Sequence, residues 1–158
     1  MKSLDDLRQA IEQNYVNKMN LVLDLDHTLL HAIDEYILYG NAPQAQCKKK
    51  LKQFTNFIKS AYQKNYHSFS FGISAGTDFR KYNQHMILRP GVDKLFEELS
   101  PYFTIFVNTK GRYEYAMEII KILDPDDKYN IRTNVKASFS VEDQNSHKNL
   151  GEFELQFY

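Results

Sequence analysis

Three residues stand close enough along the chain to do chemistry together: Asp24, Asp26 and Thr28, at the end of the apolar run Leu21-Val22-Leu23. On a strand, residues i and i+2 point the same way, so both carboxylates can share one side of a strand end. Two carboxylates forced together do not titrate alike. One stays charged and can act as a nucleophile, while the other holds a proton and can act as an acid. The plainer reading is a pair of turn residues capping a following helix. Two acids inside an apolar strand are costly unless used, which favours chemistry. A second polar group follows another apolar run: Phe103-Thr104-Ile105-Phe106-Val107-Asn108 leads into Thr109-Lys110-Gly111. Thr109 reads either as a ligand contact or as the N-cap of the helix behind it.

The elements that must position these groups follow from pattern. Ser3 and Asp6 make an approximate capping box for a helix over 3–15, with Leu4, Leu7 and Ile11 as its apolar stripe. Residues 20–25 read as a strand covered on both faces. Gly40-Asn41-Ala42-Pro43 is a turn. Between Tyr36 and Thr77 there are six lysines (48, 49, 50, 52, 59 and 64) and no acid. Leu51, Phe54, Ile58 and Ala61 fall at helical spacing, so 48–64 is predicted as a basic amphipathic helix. Its lysines form either a docking face for an acidic or phosphorylated partner or, more commonly for charge runs, a solvated face.

Residues 68–74 alternate polar and apolar, 75–78 turn the chain, and 82–88 return it, predicting a small antiparallel insert. Pro90 keeps Arg89 extended. A helix over 92–99 directs Val92, Leu95, Phe96 and Leu99 inward. A buried strand follows at 103–108, then a helix over 112–123 carrying Tyr115, Ile119, Ile122 and Leu123 on one side. Asp124-Pro125-Asp126-Asp127 ends that helix, and further strands are predicted at 130–137 and 152–158. Strand, helix, strand in this order implies a right-handed crossover and a parallel sheet, hence an α/β fold. Ligands of such sheets sit beyond the carboxyl ends of the strands, where Asp24, Asp26 and Thr109 all fall.

A chain of 158 residues is expected to be a single domain, with its core at 16–33 and 86–158 and an insert at 34–85. Twenty basic residues balance twenty acidic ones, which argues against a bulk nucleic-acid binder. The single cysteine, Cys47, excludes an internal disulfide and fits a reducing compartment. The five histidines (27, 31, 67, 85 and 147) lack metal-ligand spacing, so no zinc site is expected. The N-terminus is too polar for a signal peptide, and no apolar run is long enough to span a bilayer. The expectation is an intracellular protein without direct membrane contact.

Leu-Val-Leu-Asp-Leu-Asp-His-Thr-Leu-Leu-His (21–31) resembles the first motif of the haloacid-dehalogenase superfamily phosphatases. Within them it is similar to the branch that dephosphorylates the C-terminal domain of RNA polymerase II. Three further segments resemble that branch in order: Met-Ile-Leu-Arg-Pro-Gly-Val-Asp-Lys-Leu-Phe (86–96), Phe-Val-Asn-Thr-Lys-Gly (106–111) and Ile-Leu-Asp-Pro-Asp-Asp-Lys-Tyr (122–129). Four ordered segments are a far more specific signal than a lone Asp-x-Asp-x-Thr.

The resemblance implies a Rossmann-like core, a mostly parallel sheet flanked by helices, with a small antiparallel insert at about 68–88. It implies a nuclear phosphoserine/phosphothreonine phosphatase acting on the polymerase tail. Asp24 would attack phosphorus to form an aspartyl-phosphate. Asp26 would protonate the leaving oxygen and then activate water. Thr28 would orient Asp26, Thr109 would bind the phosphoryl oxygens, and Lys148 would offset their charge. Lys110 and Arg89 are further candidates for phosphate or substrate contact, Arg89 also reading as structural. Mg2+ would be held by the Asp24 carboxylate and the Asp26 backbone carbonyl.

The chain departs from the family pattern in two places. Asn108 stands where the family usually has tyrosine, and the Asp-Asp pair that completes the family's metal site is not found after the strand-like 153–158 segment. The expectation is therefore a C-terminally incomplete phosphatase, with a phosphopeptide-binding pseudophosphatase as the alternative.

Overall fold

The computed structural model describes residues 3–14, 17–35, 44–75 and 77–137; Lys148, the 40–43 turn and the expected strand at 152–158 lie outside them. In chain order the elements are α1 (Leu4–Glu12), β1 (Met19–Leu23), β2 (Leu30–Asp34), α2 (Gln44–Tyr62), β3 (Tyr66–Ala75), β4 (Asp78–Leu88), α3 (Val92–Leu99), β5 (Phe103–Thr109), α4 (Tyr113–Leu123) and β6 (Val135–Ala137). Short 3-10 turns occupy Gln63–Asn65 and Ile131–Asn134. Ser3 caps α1 as expected, and Asp6 returns a bond to the Ser3 backbone.

One sheet is parallel, in the order β1-β5-β6. Its central strand β5 is buried continuously from Ile105 to Thr109, as a strand covered on both faces must be. Phe96 of α3 and Ile119 and Ile120 of α4 are fully enclosed around it. The second sheet is antiparallel, in the order β2-β4-β3. On β3 the alternation sends Phe69, Phe71 and Ile73 to the core cluster. Phe69 and Phe71 both meet the Tyr115 ring, with centroids 5.9 and 5.7 Å away. That contact fixes the antiparallel sheet against α4.

Three differences from the sequence expectation have local causes. β1 ends at Leu23, so Asp24 opens a loop rather than closing a strand. β2 is not predicted by pattern; His31 and Ala32 give its five residues a weak strand signal, and pairing with β4 supplies what propensity does not. The strand expected at 130–137 is only Val135–Ala137, because Asn130 takes a left-handed conformation (φ 55°) and launches a 3-10 turn that buries Ile131. The Arg-Pro-Gly entry to α3 is explained by Gly91, whose φ of 87° suits glycine and serves as the N-cap.

Asp124 closes α4. It is fully buried and accepts bonds from the backbone N–H of Lys128 (2.7 Å) and Tyr129 (3.1 Å). Asp124→Ala leaves both donors without their acceptor inside the protein. It should lower stability by about 2–4 kcal/mol, read as a reduced urea midpoint with an unchanged slope.

Candidate active site

The loop after β1 is held by leucines. Leu25, Leu29 and Leu30 are all buried, and Leu25 separates the two half-buried carboxylates of Asp24 and Asp26. The Leu25 carbonyl accepts from the N–H of Leu29 (2.9 Å) and Leu30 (3.2 Å), and His27 N–H donates to the Leu30 carbonyl (2.8 Å). His27 pays for this tight reversal with a left-handed φ of 62°. Arg89 clasps the loop from the end of β4: its backbone N–H donates to the Leu29 carbonyl (2.9 Å) and its guanidinium to the His27 carbonyl (2.7 Å). The structure thus gives Arg89 a positioning bond on the loop that carries Asp26.

β1 and β5 run in parallel register, Leu23 beside Val107. Their carboxyl ends therefore emerge side by side, placing Asp24 next to the Asn108-Thr109 end of β5. The Asp24 Oδ1 accepts from the Leu25 N–H at 2.9 Å. Thr109 is buried, and its Oγ1 accepts from the Gly111 N–H at 3.0 Å. It makes this short turn bond rather than capping α4, whose N-cap is Arg112. A Cβ at Gly111 would come within 2.8 Å of the Tyr115 ring and 3.3 Å of Thr109 Oγ1, so the glycine allows these side chains to converge. Lys110 beside them is exposed.

The residue that sequence reasoning misses is Tyr115. Its place in the apolar stripe of α4 suggests packing alone, yet its hydroxyl donates to Asp26 Oδ1 at 2.6 Å. Thr28, expected to orient Asp26, sits exposed in the turn, with its backbone N–H on the Leu25 carbonyl. The signal that could have found Tyr115 is a tyrosine, rather than leucine or phenylalanine, at an inward helix position: a buried phenol requires a partner.

The Asp24 carboxylate and the Asp26 main-chain carbonyl are hard oxygen donors and suit Mg2+, an ion usually held by one or two carboxylates with water and phosphate in the other positions. Among the described residues no three His, Cys, Asp or Glu side chains gather into a metal-binding cluster.

Burial first, and then the adjoining Asp26 carboxylate, hold the Tyr115 phenol well above its ordinary value of about 10. The folded chain therefore keeps this proton more tightly than the unfolded chain. The stability this gives is complete below about pH 10 and is lost as pH rises further. Burial also raises the Tyr66 phenol, so in an ultraviolet titration of the eleven tyrosines Tyr115→Phe should reduce the late-ionising amplitude by one phenol; an unchanged late amplitude would overturn the assignment.

Residues 19–154 match the family described as NLI interacting factor-like phosphatase. The chain is 28% identical over 113 residues to an RNA polymerase II C-terminal domain phosphatase of Saccharomyces cerevisiae. It is 34% identical over 114 residues to the RNA polymerase II C-terminal domain phosphatase-like 4 of Arabidopsis thaliana. These alignments take in 68% and 71% of this chain but only 15% and 22% of those relatives. Among solved structures, fission yeast RNA polymerase II CTD phosphatase Fcp1, in a variant bound to beryllium fluoride, superposes with a TM-score of 0.58 at 20% identity, covering 90% of this chain and 34% of that one. The α/β architecture is thus the haloacid-dehalogenase-like fold expected from the motifs. Because the family match covers residues 19–154, most of the chain, the chain belongs to the NLI interacting factor-like phosphatases.

Proposed function

We propose that this chain carries the catalytic centre of a Mg2+-dependent phosphoserine/phosphothreonine protein phosphatase. Its proposed substrate is the phosphorylated C-terminal domain of RNA polymerase II, which places it in the nucleus. The observation that carries the reading is the Asp26 carboxylate, anchored by Tyr115 at the carboxyl edge of the parallel sheet, with only Leu25 between it and Asp24.

Asp24 attacks phosphorus, a P–O bond forms to its carboxylate, and the bond to the serine or threonine oxygen breaks. Asp26 gives that oxygen its proton. It then takes a proton from the water that hydrolyses the aspartyl-phosphate. The Tyr115 bond occupies Oδ1 of Asp26 and so leaves Oδ2 to carry the transferred proton. Thr109 contacts the phosphoryl oxygens, with Lys110 and Lys148 as the cationic candidates beside them. Thr28 and Arg89 hold the loop. Mg2+, when bound, offsets the phosphoryl charge.

Asp24→Asn should reduce phosphate release from a phosphoserine peptide by about a thousandfold or more, and chelation of Mg2+ should abolish release until the ion is restored. Parental turnover by Asp24→Asn sinks the proposal. Phosphopeptide binding without release by the parent protein favours the pseudophosphatase instead. Tyr115 acts through Asp26, so Tyr115→Phe should impair turnover of a phosphoserine peptide, whose alkoxide leaves only when protonated, much more than that of p-nitrophenyl phosphate. Equal losses on both substrates would make Tyr115 merely structural.

A further inference from the structure

Helix α2 covers the face of the antiparallel sheet that points away from the core. Packing alone would make this contact apolar. Instead β3 and β4 offer α2 a polar surface: Ser68 lies opposite His85 and Ser70 opposite Asn83 in the register. Between helix and sheet is an open cavity of about 590 Å³, far larger than the roughly 30 Å³ one water occupies.

The helix contributes Lys48, Lys52, Thr55 and Lys59 to the lining. These are positions i, i+4, i+7 and i+11, a single stripe of a helix. Among the described residues the three ammonium groups make no ion pair; Lys59 stands 5.5 Å over the Tyr66 ring. Thr55 meets the cavity through its other atoms, because its hydroxyl oxygen is itself fully buried. Among the described residues one acid borders the cavity: Glu35, whose two oxygens face His85 Nε2 (3.1 Å) and Asn83 Nδ2 (3.2 Å). His85 is nearly fully buried, and its other ring nitrogen meets the Tyr66 hydroxyl at 2.7 Å.

The cavity is rich in donors and has one acid against three cations. Its complement is a compact ligand with several acceptor oxygens and negative charge. We propose that the cavity between α2 and the β3–β4 face is a second phosphate-binding site, taking a phosphate group, free or carried on a chain. The site is separate from Asp24 and Asp26 and stands on its own donors, so it does not depend on the phosphatase reading. The helix supplies the charge, and the hydroxyls of Ser68 and Ser70 supply shorter-range contacts.

Titration of the labelled chain with inorganic phosphate, followed by amide NMR shifts, tests this. The signals of Thr55, Ser68, Ser70 and Asn83 should move together. The exposed double variant Lys52→Gln/Lys59→Gln should weaken their response about tenfold or more, and Ser70→Ala, which removes a cavity-facing hydroxyl, should weaken it several-fold. A phosphoserine peptide that binds this site more tightly than inorganic phosphate identifies a phosphorylated chain as its ligand; equal affinities identify free phosphate. Shifts confined to the surroundings of Asp24 and Thr109, or parental affinity in both variants, overturn the site. If the site binds phosphate while the chain hydrolyses no ester, the phosphatase reading falls and this one remains.

Discussion

The Tyr115–Asp26 hydrogen bond joins parts of the chain that are 89 residues apart. A carboxylate on a loop can swing, and in the proposed reaction a donor that swings would seldom be where the leaving oxygen is. Tyr115 fixes one oxygen of Asp26 from the first turn of α4. Phe69 and Phe71 hold Tyr115 from the other side. Gly111 lets the ring sit close to Thr109. The geometry around Asp26 therefore depends on the parallel sheet, on α4 and on the antiparallel sheet together.

The loop itself shows how burial can aim polar groups. Leu25, Leu29 and Leu30 enter the core, His27 and Thr28 between them are left exposed, and Asp26 is held half-buried against Tyr115. Their apolar burial, at about 25 cal/mol per Å², offsets the cost of a left-handed His27 and of two neighbouring acids. The proposed chemistry would thus rest on leucines enclosed in the core.

Much of the fold is readable from the chain because it is local. Periodicity locates α1, α3, α4 and β5, and the strand-helix-strand order implies parallel pairing. The acids are visible from their types and spacing. What cannot be read is long-range. β2 forms because β4 lies beside it, not because of its own residues. Tyr115 looks like one more inward aromatic, and only the fold brings its hydroxyl to Asp26. The 130–137 segment looks like a strand, but left-handed Asn130 and the buried Ile131 set a turn first. The lysine stripe of α2 is legible as charge; the polar sheet face beneath it needs the register of β3 on β4.

β4 pairs with β2 on one edge and β3 on the other, and its next residue is Arg89, the clasp on the loop. Its side chains alternate between the core, where Met86 is buried and Tyr82 packs, and the face under α2, where Asn83 and His85 lie. A one-residue insertion or deletion in this strand would reverse that alternation. It would also carry Arg89 about 3.3 Å along the strand axis, away from the His27 carbonyl. In the history of such a chain, β4 is therefore where length is least free to vary, even though no residue within it touches the proposed reaction.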